Sequence, residues 1–319
     1  MNWWPFGKLL FMSASADQTN VPVSEELFAP LTSGVEICYQ TFGDPDADPL
    51  LLVMGLGGPM NWWDTDLCLL LANSGFFVIR YDNRDTGRSS RAVGRIDRRT
   101  MVRAFLGRPV TVPYSIADLA DDAFGLLDHL GIESADVVGA SMGGMIAQTM
   151  AIARPERVRS LVSIMSTTGR RTVGWQSPAL LPTLIARRGP EREAYLAGSQ
   201  RVWALIGSPG FPKDPDELVR RGNETFDRGV SRAGTMRQMM AVITQPDRTA
   251  QLRRLTMPTL VIHGLADRMV HVSGGRSTAM AVPGSELLLV DGMGHDFPKP
   301  LYDTIAAAVR RTADRATQK

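Results

Sequence analysis

Ala135-Asp136-Val137-Val138-Gly139-Ala140-Ser141-Met142-Gly143-Gly144-Met145-Ile146-Ala147-Gln148 joins a β-rich apolar run to a helix-like run through Gly139-Ala140-Ser141-Met142-Gly143. A G-x-S-x-G pentapeptide alone is weak evidence, because glycine and serine are common and a plain glycine turn would carry the serine by chance. Here Ala135–Val138 reads as a strand before it and Met142–Ala153 as a helix after it. That context makes the pentapeptide a sharp strand-to-helix turn that lifts Ser141 above a sheet edge. Gly139 and Gly143, lacking a Cβ, let neighbouring backbones approach the turn closely. The helix N-terminus then offers unpaired N–H groups and a positive dipole to a developing oxyanion.

Outward from this turn, short β-rich runs alternate with helical patterns, the signature of a mostly parallel sheet flanked by helices. Val35–Thr41, Leu50–Met54, Phe76–Tyr81 and Val158–Ile164 read as strands, and Trp62–Ala72 and Ser115–Leu130 as helices. Leu50–Met54 is continuously apolar, as a strand buried on both faces should be. Asp118, Asp121 and Asp122 suit the N-terminal end of their helix, and Gly131 its stop. The pattern changes between residues 166 and 250, where no buried strand stands out and prolines, Trp175, Trp203 and Met236, Met239 and Met240 occur. Strands resume at Thr259–His263 and Glu286–Val290, with helices at Gly274–Ala281 and near Leu301–Arg311. The expected organisation is an N-terminal arm (1–30), an α/β core (31–165 and 251–319) and a helical cap insertion (166–250).

A serine hydroxyl needs a base, and the chain has four histidines. His129 lies near the end of an amphipathic helix, His263 ends a buried strand and reads as structural, and His271 sits in a loop. His295, in Gly292-Met293-Gly294-His295 just after the last strand, reaches the same edge as Ser141 and is the expected base. Asp267, in the loop after Thr259–His263, is the expected orienting carboxylate, with Asp291 and Asp296 as rivals by proximity. The order Ser, Asp, His suits this architecture. Oxyanion donors are expected from the Met142 amide and from the glycine loop Met54-Gly55-Leu56-Gly57-Gly58, where the Leu56 amide is the choice. That loop lacks the lysine and Ser/Thr of a phosphate loop.

The 319 residues, 44% hydrophobic and 21% charged, allow one large core. A net charge of +2 argues against nucleic acid as partner. Arginines cluster in Arg91–Arg103 and at Arg253-Arg254, which reads as a solvated face, with an anion or membrane-surface patch as the alternative. Cys38 and Cys68 have neither zinc nor redox spacing and read as buried thiols; no metal site is expected. The opening Met1–Ala16 has apolar residues and a cleavage-like Ala14-Ser15-Ala16, but its lysine lies inside an apolar part broken by Pro5 and Gly7. A cytoplasmic location is therefore expected, secretion or weak membrane-surface contact through Trp3, Trp4 and Phe6 being the alternatives. Oligomeric state is left open.

Together these residues resemble the α/β-hydrolase superfamily from about residue 30 onward. Asp82-Asn83-Arg84-Asp85-Thr86-Gly87-Arg88-Ser89 is similar to its D-x-R-x-x-G-x-S segment, in which Asp82 and Arg84 would support the site beside Gly55. Within the superfamily the likeness is to actinobacterial esterases, including aclacinomycin methylesterases and mycobacterial lipase- or thioesterase-like enzymes. Many relatives start the oxyanion loop with His-Gly; this chain has Met54-Gly55. The resemblance implies cofactor-free hydrolysis of a small-molecule carboxylic ester or thioester through an acyl-enzyme. Ser141 at the elbow argues against the epoxide hydrolases and haloalkane dehalogenases of this fold, which use an aspartate. The cap's methionines and tryptophans suggest an apolar acyl or ring pocket, the alternative being that they pack cap helices together. A perhydrolase, a C–C hydrolase and a non-catalytic binding protein are the rival readings.

Overall fold

A computed structural model describes residues 21–180, 191–212 and 214–317. The arm residues Trp3, Trp4 and Phe6, and part of the stretch read as the cap, lie outside the described residues. Eight strands form one sheet in the order β1-β2-β4-β3-β5-β6-β7-β8. They are β1 (Leu27–Pro30), β2 (Glu36–Phe42), β3 (Asp48–Val53), β4 (Phe76–Tyr81), β5 (Ala135–Ala140), β6 (Val158–Ile164), β7 (Thr259–Gly264) and β8 (Glu286–Val290). β1 and β2 run antiparallel to their neighbours, and from β4 through β8 every pair is parallel. The loops after β3, β4, β5, β7 and β8 therefore open at one edge, where sheets of this kind bind ligands.

The central strands are buried on both faces because their side chains alternate between two cores. Leu51, Val53, Ile79 and Val137 pack with α3 (Ile116–His129) and α4 (Met142–Ala153). Leu50, Leu52, Val78, Val138 and Val162 pack on the opposite face, with α1 (Thr65–Asn73) and the C-terminal helix Tyr302–Thr317. Ser115 and Asp118 form a reciprocal capping box at the start of α3. α1 begins three residues later than the periodicity suggests: Asp64 accepts the Asp66 amide and caps the helix, and Met60–Trp62 becomes a separate 3₁₀ turn. Both cysteines are buried, and burial pushes each thiol up to about 12, so neither is a ready nucleophile.

Two features depart from the expected organisation. Leu27–Pro30, assigned to the arm, is the edge strand β1; four residues ending in proline carry too little alternation to mark a strand, yet Ala29 is fully buried. Arg98–Phe105, not anticipated, is a helix, α2, capped by Asp97. Between β6 and β7 the described residues contain no strand. They hold α5 (Arg192–Ile206), α6 (Pro215–Asp227), α7 (Arg232–Thr244) and the short α8 (Thr249–Leu252). α9 (Ser273–Ala281) and α10 (Tyr302–Thr317) follow.

Candidate active site

Ser141 sits at the β5–α4 junction with φ 56° and ψ −118°, a conformation that costs a non-glycine residue energy and is held by its surroundings. Its N–H donates to Ile164 O at 2.9 Å, and Ser166 Oγ donates to its carbonyl at 2.7 Å. A Cβ on Gly139 would lie 2.1 Å from Gly143 O, and one on Gly143 2.0 Å from Val53 O. Close backbone approach is thus the reason for both glycines.

The loops after β5, β7 and β8 bring Ser141, Asp267 and His295 together. His295 Nε2 lies 3.0 Å from Ser141 Oγ, and His295 Nδ1 lies 2.7 Å from Asp267 Oδ2. A carboxylate only accepts, so Nδ1 carries the proton and the Nε2 lone pair faces the hydroxyl. Asp267 Oδ1 accepts the amides of Met269 and Val270 at 2.8 and 2.9 Å, which fixes the carboxylate plane. Burial alone would raise the Asp267 pKa; electrostatic attraction to the His295 ring and hydrogen bonds from His263 and His295 outweigh it and hold the carboxyl well below the ordinary carboxylate range.

The other candidates are placed elsewhere. His263 is fully buried and donates Nε2–H to Val270 O at 2.8 Å, the structural role read for it. His271 stacks on Trp175 at 4.0 Å, and His129 is exposed beside Tyr39. Asp296 accepts from Ser208 Oγ, and Asp291 is exposed. The cap tryptophans also contact other rings, Trp203 that of Trp62 and Trp175 that of His271.

The glycine loop is a tight turn, with Gly58 N–H donating to Gly55 O at 3.2 Å and Gly57 at φ 67°. A positive φ at the third position is the type II arrangement that selects glycine. Among the described residues no acceptor takes the Leu56 amide. The Met142 amide opens α4, where no intrahelical acceptor exists. Among the described residues both amides thus stay without acceptors, and the loop is close to Ser141: a Cβ on Gly55 would lie 3.1 Å from Ser141 Cβ. Asp82, fully buried, accepts from Met60 N–H at 2.6 Å and from Arg88 N–H at 2.8 Å, tying the end of this loop to its own turn. Arg84 forms a bidentate pair with Asp122 of α3 at 2.5 and 2.6 Å.

Several supporting residues give no local sequence signal. Asn83 Nδ2 donates to Met54 O at 3.0 Å. Gln238, fully buried on α7, accepts Gly57 N–H at 2.7 Å and donates to Arg84 O and Thr86 Oγ1, both at 2.8 Å. Its neighbour Arg237 pairs with buried Asp85 through two bonds, 2.6 and 2.8 Å. The end of α5 and the segment after it grip the histidine loop: His295 N–H donates to Ile206 O at 2.7 Å, Gly294 N–H to Ser208 Oγ at 2.8 Å, and Gly210 N–H to Gly292 O at 3.0 Å.

A family model of the alpha/beta hydrolase fold matches residues 48–298. The chain belongs to the alpha/beta hydrolase fold family. Among its relatives, the rhodomycin D methylesterase of Streptomyces sp. strain C5 is 31% identical over 300 residues, covering 86% of this chain and 94% of that protein. The 3-oxoadipate enol-lactonase 2 of Acinetobacter baylyi is 30% identical, covering 76% of this chain and 80% of its own. The same fold is seen in the esterase of Rhodococcus sp. ECU1013, with TM-score 0.69 and 20% identity over 92% of this chain and 98% of the other.

Proposed function

We propose that this alpha/beta hydrolase cleaves carboxylic esters through an acyl-enzyme, with Ser141 as nucleophile, His295 as general base and acid, and Asp267 orienting the imidazole. The observation that carries the reading is the unbroken relay from Asp267 Oδ2 through His295 to Ser141 Oγ, with contacts of 2.7 and 3.0 Å at a strained turn. His295 Nε2 takes the hydroxyl proton as Ser141 Oγ attacks the acyl carbon, and the Leu56 and Met142 amides receive the oxyanion. The tetrahedral intermediate collapses, His295 protonates the departing alcohol, and water repeats the sequence to free the acid. Asp267 stays ionised and stabilises the imidazolium.

Similarity to a methylesterase and to an enol-lactonase supports hydrolysis of an ester bond, and the methylesterase likeness favours a small alcohol part with the bulk on the acyl side. The substrate class proposed is a small-molecule ester carrying an apolar acyl or ring group, with residues 166–250 acting as the cap over it. Among the described residues no helix is long and apolar enough to cross a membrane. We place the enzyme in the cytoplasm, a reading supported by its two unpaired, buried thiols.

The test is a methyl and p-nitrophenyl ester series, with fluorophosphonate labelling, on wild type and Ser141→Ala. Turnover should fall by at least about 10⁴-fold in the folded variant, and the label should map to Ser141. Wild-type rates in Ser141→Ala would end the assignment.

A further inference from the structure

Residues 91–108 hold six arginines (Arg91, Arg95, Arg98, Arg99, Arg103 and Arg108) and a single acid, Asp97, which caps α2. This surplus of five exceeds the +2 of the whole chain, so the remainder of the protein is net −3 and the positive charge is concentrated here. The same short segment exposes large apolar side chains: Val93 is 93% exposed, Leu106 68%, Phe105 58% and Val102 50%. On α2, Ala104 is buried and Thr100 and Met101 are half-buried, facing inward, and the helix packs on α7. The outward side thus presents Val102, Phe105 and Leu106 flanked by Arg98, Arg99 and Arg103, all exposed.

The segment is held in place. Arg91 donates to the carbonyls of Asp85, Gly87 and Gly229, Arg237 to Gly94 O at 2.8 Å, and Arg171 to Phe105 O. It follows β4, so it lies at the edge that carries Ser141.

We infer that this face docks on a lipid surface bearing anionic headgroups. Protruding apolar side chains enter the acyl boundary while flanking arginines reach the phosphates, the arrangement of an interfacial helix. The charge polarity turns the Ser141 edge toward the membrane and the acidic remainder away from it. Docking itself is independent of the proposed hydrolysis; only its use, delivery of an apolar ester to that edge, rests on that reading.

The test is sedimentation of the full chain with vesicles of phosphatidylcholine, alone or with about 30 mol% phosphatidylglycerol. Wild type should bind the anionic vesicles, fail to bind the neutral ones, and be released between about 0.05 and 0.5 M salt. Arg99→Gln/Arg103→Gln should weaken partitioning about thirty-fold, and Phe105→Ser/Leu106→Ser about tenfold. Turnover of a water-soluble ester should stay within about twofold in both, which also shows that they are folded. Equal binding to neutral vesicles, no binding to anionic ones, or variants that bind like wild type would overturn the proposal. So would a solution dimer that the patch variants split, since the occupant is then a second copy. A chain that binds anionic vesicles but cleaves no ester refutes the hydrolase reading and leaves this one standing.

Discussion

Removing the Gln238 side chain should slow the chemical step although the residue touches no substrate. The amide proposed to receive the oxyanion, Leu56 N–H, belongs to a peptide plane held on three sides. Asn83 fixes the plane before it through Met54 O, Gly58 N–H holds the plane itself through Gly55 O, and Gln238 fixes the plane after it through Gly57 N–H. Gln238→Ala deletes the last anchor and also leaves Gly57 N–H and Arg84 C=O, both part-buried, without the partner that a fully buried side chain supplied. An unpaired group costs about 1–3 kcal/mol when buried, so for these two part-buried groups a stability loss of about 2–4 kcal/mol is expected. Loss of a whole oxyanion donor costs about 10²–10³ in kcat; a donor loosened rather than lost should cost about ten- to a hundredfold, with KM nearly unchanged. Steady-state kinetics on p-nitrophenyl butyrate and denaturant unfolding read the two effects separately. Gln238→Glu supplies the control, because a protonated carboxyl both accepts from Gly57 and donates to Arg84, so its kcat relative to wild type should recover as the pH falls. A Gln238→Ala enzyme that lost stability yet kept kcat within about twofold would refute the reasoning.

Two further outcomes follow from the same contacts. A Cβ at Gly210 would lie 2.6 Å from Gly292 Cα, and backbone cannot yield as a side-chain end does. Gly210→Ala should therefore cost about 1–3 kcal/mol of stability and lower the fluorophosphonate inactivation rate at least about tenfold by displacing the His295 loop; an unchanged rate would disconnect this segment from the base. Burial alone would raise the Asp85 pKa, but hydrogen bonds from Arg237, Tyr114 and the Ala92 amide hold it below its ordinary value of 3.8. Its stabilisation is then fully present above that value and is lost as pH falls through the lower folded value. Asp85→Asn leaves Arg237 buried without its partner, so wild type should exceed it by about 3–5 kcal/mol between about pH 5 and 8, with the gap closing in stronger acid; a gap that held there would contradict the direction of the shift.

The catalytic candidates were legible because each is tied to a local pattern. Ser141, Asp267 and His295 each follow an apolar strand, and parallel strands place their C-terminal loops at one edge whatever their spacing in the chain. What local pattern does not carry is the partner of a buried polar group. Gln238 lies among the methionines of α7 and looks like any polar residue on a helix; its meaning comes from residues 152 to 181 positions away. Ser208 is similarly silent until Gly294 is found 86 positions on. Its motif singles out Arg84 as a supporting residue but does not show its partners: a bidentate pair with Asp122 of α3 and a carbonyl that accepts from Gln238. The aromatics of the cap show the same limit of local pattern, since composition does not reveal that Trp203 meets Trp62 and Trp175 meets His271.

These contacts bear on how the site opens. Residues 206–210 hold the histidine loop, and Gln238 and Arg237 bind α7 to the glycine loop and to Asp85. A cap that swung away as one rigid lid would release the base and loosen the oxyanion loop in the same movement. The open form would lack a fully assembled site, and chemistry would occur only with these anchors in place. Substrate entry compatible with catalysis therefore has to leave Ile206–Gly210 and Arg237–Gln238 seated, confining movement to elements that make neither set of contacts. In this chain the segment between β6 and β7 supplies struts of the proposed catalytic geometry.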